Sequence, residues 1–124
     1  NDPEDLNVLM NMALLLQNHR HDYDAAEQYF GKALQVDPNR VDLLSNFAVF
    51  LEDIRKDSNR AMEYYMQALK ISPDDVVTMS HYGGFWLRHG KEEEAERWFK
   101  QAMEIDPEVA KPIIELRRSW AGNR

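Results

Sequence analysis

The chain contains no cysteine, few glycine and proline residues, and no long uncharged apolar segment. The absence of cysteine excludes disulfide bonds, thiol catalysis and cysteine-based zinc sites, and it suits a reducing compartment. Five glycines and five prolines among 124 residues are too few for a collagen-like or low-complexity chain. The apolar runs are too short to span a bilayer, and no segment resembles a signal peptide. We therefore expect an intracellular, cytoplasmic protein.

Positive charge is also in short supply, because 15 Lys and Arg residues face 22 Asp and Glu residues, for a net charge of -7. An acidic surface repels phosphate groups, so this balance argues against nucleic-acid partners and anionic membranes. The composition is otherwise typical of a globular chain, and 124 residues allow one compact domain or a short repeat array. Since the sequence begins without methionine, we expect a fragment of a longer protein.

A repeat of about 35 residues runs through the chain. Prolines recur at steps of 35, 35 and 34 residues, each preceded by Asp or Ser. Five further columns of small, aromatic and aliphatic residues keep the same step, which chance would not place in register. The columns are Pro3/Pro38/Pro73/Pro107, Ala26/Ala61/Ala95, Phe30/Tyr65/Phe99, Ala33/Ala68/Ala102, Leu34/Leu69/Met103 and Val36/Ile71/Ile105.

A second set of apolar columns lies upstream of each block, with steps of 3, 1 and 3 residues that place all four positions on one helix face. Each unit is therefore predicted to be a pair of amphipathic helices. The predicted units are 6–40, 41–75 and 76–109, between a remnant of an earlier unit or linker (1–5) and a C-terminal segment (110–124). The upstream columns are Leu9/Leu44/Met79, Met12/Phe47/Tyr82, Ala13/Ala48/Gly83 and Leu16/Leu51/Trp86.

Capping residues predict the helix boundaries. We expect each Asp–Pro or Ser–Pro pair to begin a helix, because the polar residue caps it and proline needs no N–H in the first turn. The second helices of units 1 and 2 are expected to begin near Asp22–Asp24 and Asp57–Ser58. Unit 3 turns at Gly90, a candidate left-handed cap. Units 1 and 2 carry one more residue in this turn, which we expect to remove the need for a positive φ.

These columns resemble the tetratricopeptide repeat (TPR), whose pattern is W-x2-L-G-x2-Y, followed by A-x3-F and a later P. Unit 3 is the most similar, through Tyr82, Gly83, Trp86, Ala95, Phe99, Ala102 and Pro107. The resemblance covers roughly residues 6–109. It implies an all-α solenoid, an α-α superhelix of three helix-turn-helix hairpins, that acts as a protein-interaction scaffold and not as an enzyme.

The C-terminal segment, 110–124, is predicted to be a capping helix that covers the apolar face of the last unit. Its apolar residues Ile113, Leu116 and Trp120 continue the packing face of the first helices. Arg117 falls in the column of small residues to which Gly83 belongs. A bulky charged side chain in this column is expected to keep a further helix from packing closely. Pro112 is expected in or near the first turn of this helix.

A stack of helix pairs has a concave face lined by its first helices and a convex face lined by its second helices. Inward positions that packing does not use are candidates for ligand contact, and the acidic ones predict a basic group on the ligand. The candidate peptide-binding or protein-binding residues are Met10, Asn11, Leu14, Asp42, Ser45, Asn46, Val49, Asp53, Val77, Ser80, His81 and Arg88. The residues expected to extend the groove are Lys111, Ile114, Glu115 and Arg118.

One column of the predicted groove holds Asn11, Asn46 and His81. In TPR proteins an Asn in this column often holds the backbone of a ligand, since an amide both donates and accepts hydrogen bonds. His81 would add pH sensitivity if it contacts the ligand.

Some TPR domains bind a C-terminal carboxylate through a clamp of Lys, Asn, Asn, Lys and Arg. The matching positions here hold Met10, Leu14, Asn46, Val77 and His81. Only Asn46 is retained, and the loss of three cationic donors argues against carboxylate capture. We expect a partner with hydrophobic anchors, either an extended peptide or an amphipathic helix.

Two other functions stay open. Exposed aromatic residues such as Tyr29, Tyr64 and Trp98, or open repeat ends, would support self-assembly. Pentatricopeptide repeats, which bind RNA, have a helical unit of similar length, although the acidic balance argues against them. His19 and His21 lie two residues apart with no third ligand near them, so no metal is expected. No cofactor and no catalytic cluster are expected either.

Overall fold

The computed structural model describes residues 5–122, which form seven helices and no strand. Three helix hairpins, α1–α2, α3–α4 and α5–α6, are followed by a single helix, α7. This confirms the predicted all-α repeat architecture. The predicted remnant of an earlier unit falls on residues 1–4, which lie outside the described residues, and on Asp5. The helices are α1 (Leu6–Leu15, continued by a π-helical turn, Leu16–Arg20), α2 (Tyr23–Val36), α3 (Val41–Asp53), α4 (Ser58–Ile71), α5 (Val76–Arg88), α6 (Glu92–Ile105) and α7 (Pro107–Gly122).

Small residues allow the two helices of each hairpin to pack closely. Ala13 and Ala48 are completely buried. In the third hairpin a Cβ atom on Gly83 would lie 2.6 Å from the ring of Phe99, which is closer than packed carbon atoms approach. The small-residue column predicted from the sequence is therefore a packing requirement of the hairpins.

The aromatic residues next to the repeat columns belong to the apolar core. Tyr29, Tyr64 and Trp98 pack against it as partly buried side chains. The ring of Tyr64 meets Phe47 edge-on at a centroid distance of 5.0 Å, and Trp98 lies 5.3 Å from Tyr82. These contacts join the second helix of a hairpin to its first helix.

The proline pairs inside the array do not begin helices, so that prediction was wrong for them. Pro38 and Pro73 lie in loops, and the following helices begin only at Val41 and Val76. The chain must reverse its direction after each second helix. In the first of these turns the carboxylate of Asp37 accepts a hydrogen bond from the backbone N–H of Asn39 at 3.0 Å. The proline therefore stabilises a turn here.

At the last proline pair the prediction was right. Pro107 is the first residue of α7, and the carboxylate of Asp106 accepts from the N–H of Val109 at 3.3 Å. As a result α7 begins at the proline itself, whereas α3 and α5 begin three residues after their prolines. Pro112 is the sixth residue of α7.

The turn inside every hairpin contains a left-handed residue. Gly90 has φ 77°, as the sequence predicted. However, His21 and Lys56 also have positive φ values, 54° and 56°, so the prediction that units 1 and 2 avoid this conformation was wrong. Both residues stand at the position of Gly90 in the repeat. The left-handed conformation has a steric cost for them, because each has a Cβ atom.

The extra residue of units 1 and 2 widens the last turn of the first helix. In unit 1 the N–H of Asp22 donates to the carbonyl of Leu16, six residues earlier, and unit 2 has the same connection. In unit 3 the N–H of Lys91 donates to Trp86, five residues earlier. The second helices of units 1 and 2 then begin at the predicted positions, directly after the capping residues Asp22 and Asp57.

Helix α7 uses only part of the predicted packing face, in which Ile113 and Trp120 are partly buried. Leu116, expected to be packed, is 48% exposed, whereas Ala110, Ile114 and Arg117 are buried. Ala110 and Ile114 join an apolar cluster that includes Phe99. The face with Leu116 would meet the second helix of a further hairpin, and no such helix follows within the described residues. No helix in this part of the chain has both the length and the apolar character needed to cross a membrane.

Candidate binding groove

The first helices of the three hairpins line a depression of about 240 Å³, which we call the inner groove. Five of its eight lining residues belong to the set predicted from the sequence, and α1, α3, α5 and α7 all contribute. The lining residues are Leu14, Gln17, Asn18, Asn46, Val49, Asp53, His81 and Trp120.

Asn46 is partly buried and lines the inner groove together with the apolar side chains of Leu14 and Val49. Its amide nitrogen lies 3.9 Å from the sulfur of Met10, a weak contact that helps to orient the amide. Met10 itself is buried. An amide in a groove with apolar side chains can hold a peptide group while its neighbours accept apolar side chains.

Two predicted groove residues are not available to a ligand. Ser45 and Ser80 are 2% and 0% exposed, and the Ser80 hydroxyl donates to the carbonyl of Val76 at 2.8 Å. Both side chains are therefore enclosed in the helix packing. Asn11, Asp42 and Val77 are exposed but lie outside the inner groove.

The acidic residues of α3 are paired within the chain. Asp42 accepts from Arg40 at 2.9 Å, and Asp53 lies 3.3 Å from Arg88. The expected attraction for a basic group of a ligand is therefore reduced, because intramolecular cations already neutralise these carboxylates.

Glu52, one position before Asp53, is buried at 2% exposure and anchors a network of polar side chains. One carboxylate oxygen accepts from the hydroxyl of Tyr65 at 2.8 Å. The other accepts from Arg117 and lies 3.3 Å from Arg88. Burial raises the pKa of the Tyr65 phenol well above its usual value near 10, and the charge of Glu52 adds to this shift. Tyr65 therefore remains a hydrogen-bond donor to Glu52.

Arg117 reaches Glu52 by passing over Gly84, which makes room for it. A Cβ atom on Gly84 would lie 1.9 Å from Nε of Arg117. The guanidinium groups of Arg117 and Arg88 lie 4.5 and 5.1 Å from the ring centre of Trp120. The expectation that Arg117 blocks a further helix was wrong, because its side chain is 1% exposed and points back across α5 towards α3.

His81 is neutral in this setting. Burial, reinforced by the positive charge of Arg117, lowers the pKa of its imidazole to about 3. The ring Nδ1 is buried and has no hydrogen-bond partner. Protonation would place a second cation beside Arg117, so the ring of the ligand-free chain stays neutral until the pH is low. The pH sensitivity expected if His81 contacts a ligand stays a prediction.

The residues expected to extend the groove face another direction. They line a separate depression of about 290 Å³ between α6 and α7, together with residues such as Phe99 and Met103. Arg118 pairs there with Glu96 on α6 at 2.8 Å. The prediction that Lys111, Ile114, Glu115 and Arg118 extend the groove was therefore wrong. It required α7 to present the same face as α3 and α5 do.

Sequence reasoning missed the role of Trp120, which was assigned to packing. A signal was present, because Gly84 occupies the column of Leu14 and Val49. A glycine in a column of larger residues indicates that another group lies close to it. Here that group is Arg117, a large side chain in a column that holds small residues in the other units.

Within residues 5–122 no three His, Asp or Glu side chains are arranged to hold a metal ion. His21 stacks against Tyr23 at a ring distance of 6.0 Å. His89 contacts the hydroxyl of Ser58 at 2.9 Å. These contacts are structural and lie in the hairpin turns.

Comparison with known proteins agrees with the architecture. The sequence model of the tetratricopeptide repeat matches residues 7–40, 52–75 and 88–109, which is more than half of the chain. The chain therefore belongs to the TPR family. One similar solved structure is the first TPR of Spaghetti (RPAP3) bound to the HSP90 peptide SRMEEVD. It has a TM-score of 0.75 and 20% identity, and the match covers 98% of this chain and 96% of that chain. No curated protein sequence matches the chain.

Proposed function

We propose that this chain is a non-enzymatic protein-interaction scaffold that holds a peptide or helix of a partner protein in the inner groove. The observation that carries the proposal is the groove itself, which the first helices of all three hairpins line and in which the amide of Asn46 is accompanied by the apolar side chains of Leu14 and Val49. Membership of the TPR family and the peptide in the similar solved structure support a ligand of this class.

The proposed ligand does not rely on a carboxylate clamp. Of the positions that match the clamp, Met10 is buried and apolar, Val77 is apolar, and His81 is neutral. A free carboxylate would find no cation among them to offset its desolvation. A partner with apolar anchor residues fits the walls formed by Leu14 and Val49 better.

A selected peptide provides the test. We would select binders for the full chain from a random peptide library and measure their affinity for the double variant Asn46→Ala, Val49→Asp. Loss of one hydrogen-bonding contact weakens binding by about 1–2 kcal/mol, or about five- to thirtyfold, and the buried charge adds to this loss.

The control is Glu93→Ala, which removes an exposed side chain from α6, outside the groove. It should leave the affinity unchanged. If Glu93→Ala abolishes binding and the double variant does not, the partner uses the outer surface and the proposal fails.

Self-assembly remains a second candidate because the chain exposes apolar side chains near its C-terminal end. Leu116 is 48% exposed and Met103 38%. Light scattering over a range of protein concentrations would show a growing mass if these residues join copies of the chain. A constant mass, together with peptide binding, would favour the scaffold.

We propose no catalytic activity, no cofactor and no nucleic-acid partner for this chain. The cytoplasmic location expected from the sequence is likewise a proposal. Microscopy of a fluorescent fusion of the full-length protein would test it.

A further inference from the structure

We propose that Trp120 is the contact residue of the inner groove that favours an uncharged apolar side chain of the partner, and that the buried pair of Glu52 and Arg117 positions it. The inference rests on the proposed function of the groove and names one feature of its ligand. Trp120 lines the inner groove, whereas Glu52 and Arg117 do not. The two charged residues therefore act on a ligand through the position of the indole ring.

Arg117 is the residue that fixes the last turns of α7. Among residues 115–120 it is the only fully buried one, and Leu116 beside it is 48% exposed. Trp120 follows Arg117 by three positions, which places both residues on the same side of the helix. The apolar packing of α7 lies further back, at Ala110 and Ile114. The position of Trp120 therefore depends on how Arg117 is held.

The side chain of Arg117 follows a fixed path across α5. A Cβ atom on Gly84 would lie 2.7 Å from Cβ and Cγ of Arg117 and 1.9 Å from its Nε, so the arginine fills the space that a side chain at position 84 would need. The guanidinium reaches the carboxylate of Glu52 on α3, and neither residue is more than 2% exposed. The last turns of α7 are thus tied to the central first helix by a contact that is shielded from water.

Two guanidinium groups lie beside the ring of Trp120. That of Arg117 lies 4.5 Å from the ring centre, and that of Arg88, on α5, lies 5.1 Å from it. One carboxylate oxygen of Glu52 accepts from Arg117 and lies 3.3 Å from Arg88. A cation is attracted to an aromatic ring, and more strongly where water is excluded. One buried carboxylate therefore holds both of the cations that contact the ring.

The surroundings of the Trp120 ring favour an uncharged ligand group. Arg88 and Arg117 already lie beside the ring, so a basic side chain would meet two positive charges there. Asp53, the one acidic residue among the eight that line the inner groove, lies 3.3 Å from Arg88. An acidic side chain would likewise find these cations paired with carboxylates. An apolar side chain gives up no charge hydration and buries its surface against the indole.

A ligand-free measurement tests the positioning. We would compare nitrogen-15 relaxation of the Trp120 indole N–H in the full chain and in the double variant Glu52→Leu, Arg117→Met. The indole should be as rigid as the backbone of α7 in the unmodified chain and mobile on the ps–ns timescale in this variant. The matched control is Glu96→Leu, Arg118→Met, which removes the exposed pair between α6 and α7 and should leave the indole rigid. Equal mobility of the indole in all three proteins overturns the proposal.

A conservative variant guards against loss of the fold. Arg117→Lys keeps a positive charge beside Glu52 but lacks the planar group that stacks on Trp120. It should free the indole in part while the backbone of α3 and α5 stays rigid. An indole that remains rigid in both Arg117→Lys and the double variant contradicts the positioning role.

A peptide selected against the full chain tests the contact itself. Trp120→Ala should weaken its binding about tenfold, equivalent to about 1.4 kcal/mol, whereas Trp120→Phe keeps an aromatic ring and should cost less than about threefold. Glu52→Leu, Arg117→Met should also weaken binding, but should add little once Trp120 is alanine, because the pair acts through this ring. The control variant Glu96→Leu, Arg118→Met should leave the affinity unchanged.

The outcomes separate this inference from the proposed function. A peptide that Asn46→Ala, Val49→Asp weakens but Trp120→Ala does not overturns the inference and leaves the scaffold proposal standing. Additive losses from Trp120→Ala and from removal of the buried pair overturn the positioning role. A peptide that none of these groove variants weakens contradicts the scaffold proposal, and the inference with it.

Discussion

At the scale of single residues, the least usual feature of this chain is an arginine and a glutamate that are both almost fully buried. Glu52 accepts from Arg117 and from Tyr65, so both carboxylate oxygens are used. A buried ion pair adds little to stability as a whole, because desolvation offsets the attraction. Removal of one partner is different, since the other then remains buried without compensation.

Glu52→Ala should therefore lower the free energy of unfolding by about 3–5 kcal/mol. Arg88 and Arg117 would be left close together, with no carboxylate between them. Replacement of both partners, as Glu52→Leu with Arg117→Met, should cost far less or even stabilise the protein. Urea unfolding of the three proteins measures this difference. A single variant that loses less than about 1 kcal/mol would show that the pair is hydrated in solution.

His81 provides a second prediction, on acid sensitivity. Its pKa of about 3 lies below the usual value of about 6.5, so the unfolded chain binds this proton first. The stability that neutral His81 provides is complete above about pH 6.5 and is lost as the pH falls towards 3. Each pH unit in this window removes about 1.4 kcal/mol.

Between pH 6.5 and pH 5, the unmodified chain should lose about 2 kcal/mol more than His81→Asn does. Denaturant unfolding at the two pH values gives this difference. His19→Asn, on the exposed side of the first turn, is the control and should behave as the unmodified chain does. Identical acid losses with and without His81 would mean that the ring is accessible to solvent.

At the scale of helices and turns, the three hairpins form the same left-handed turn with different residues. Gly90 has a positive φ at no steric cost, whereas Lys56 occupies the same column with a side chain. Lys56→Gly should raise the free energy of unfolding, and Gly90→Ala should lower it, each by about 1 kcal/mol. Thermal or urea unfolding is the measurement. A loss of stability in Lys56→Gly would show that the side chain makes contacts that outweigh its backbone strain.

The small-residue column allows a test of hairpin packing. Ala48 is completely buried between α3 and its neighbours, so Ala48→Leu should overpack the junction and cost about 1–3 kcal/mol. Val49→Leu, one position along on the partly exposed inner face, is the matched control and should be nearly neutral. Similar melting temperatures for all three proteins would refute the assignment of the column.

The repeat made the hairpins predictable, because each packing position occurs three times in register. Capping chemistry placed the starts of α2 and α4 correctly at Asp22 and Asp57. The same chemistry failed at Pro38, because proline before a helix and proline in a turn give the same sequence signal. Only the three-dimensional path of the chain distinguishes the two cases.

The orientation of α7 could not be predicted from the repeat, because within residues 5–122 no second helix follows α7 to fix its packing face. The buried side of α7 depends on Gly84 and Arg117, which both differ in size from the other residues of their columns. The two differences explain each other, because Gly84 makes room for Arg117. The groove residues on α1 and α3 followed from the repeat, whereas Trp120 did not. Single deviations from a repeat thus indicate the places where one unit is used differently.

At the scale of the whole molecule, the account rests on one claim, that partners bind on the face formed by α1, α3 and α5. The depressions beside α2 and α6 are lined mostly by charged side chains, whereas the inner groove combines an amide with apolar side chains. Packing between the units fixes the spacing of the first helices, and so the shape of the inner groove.

Hydrogen exchange with and without a saturating selected peptide tests this claim most directly. We expect slower exchange in α1, α3 and α5 when the peptide is bound. The exchange rates of α2, α4 and α6 should change little. Protection confined to α2, α4 and α6, with α1, α3 and α5 unaffected, would contradict it.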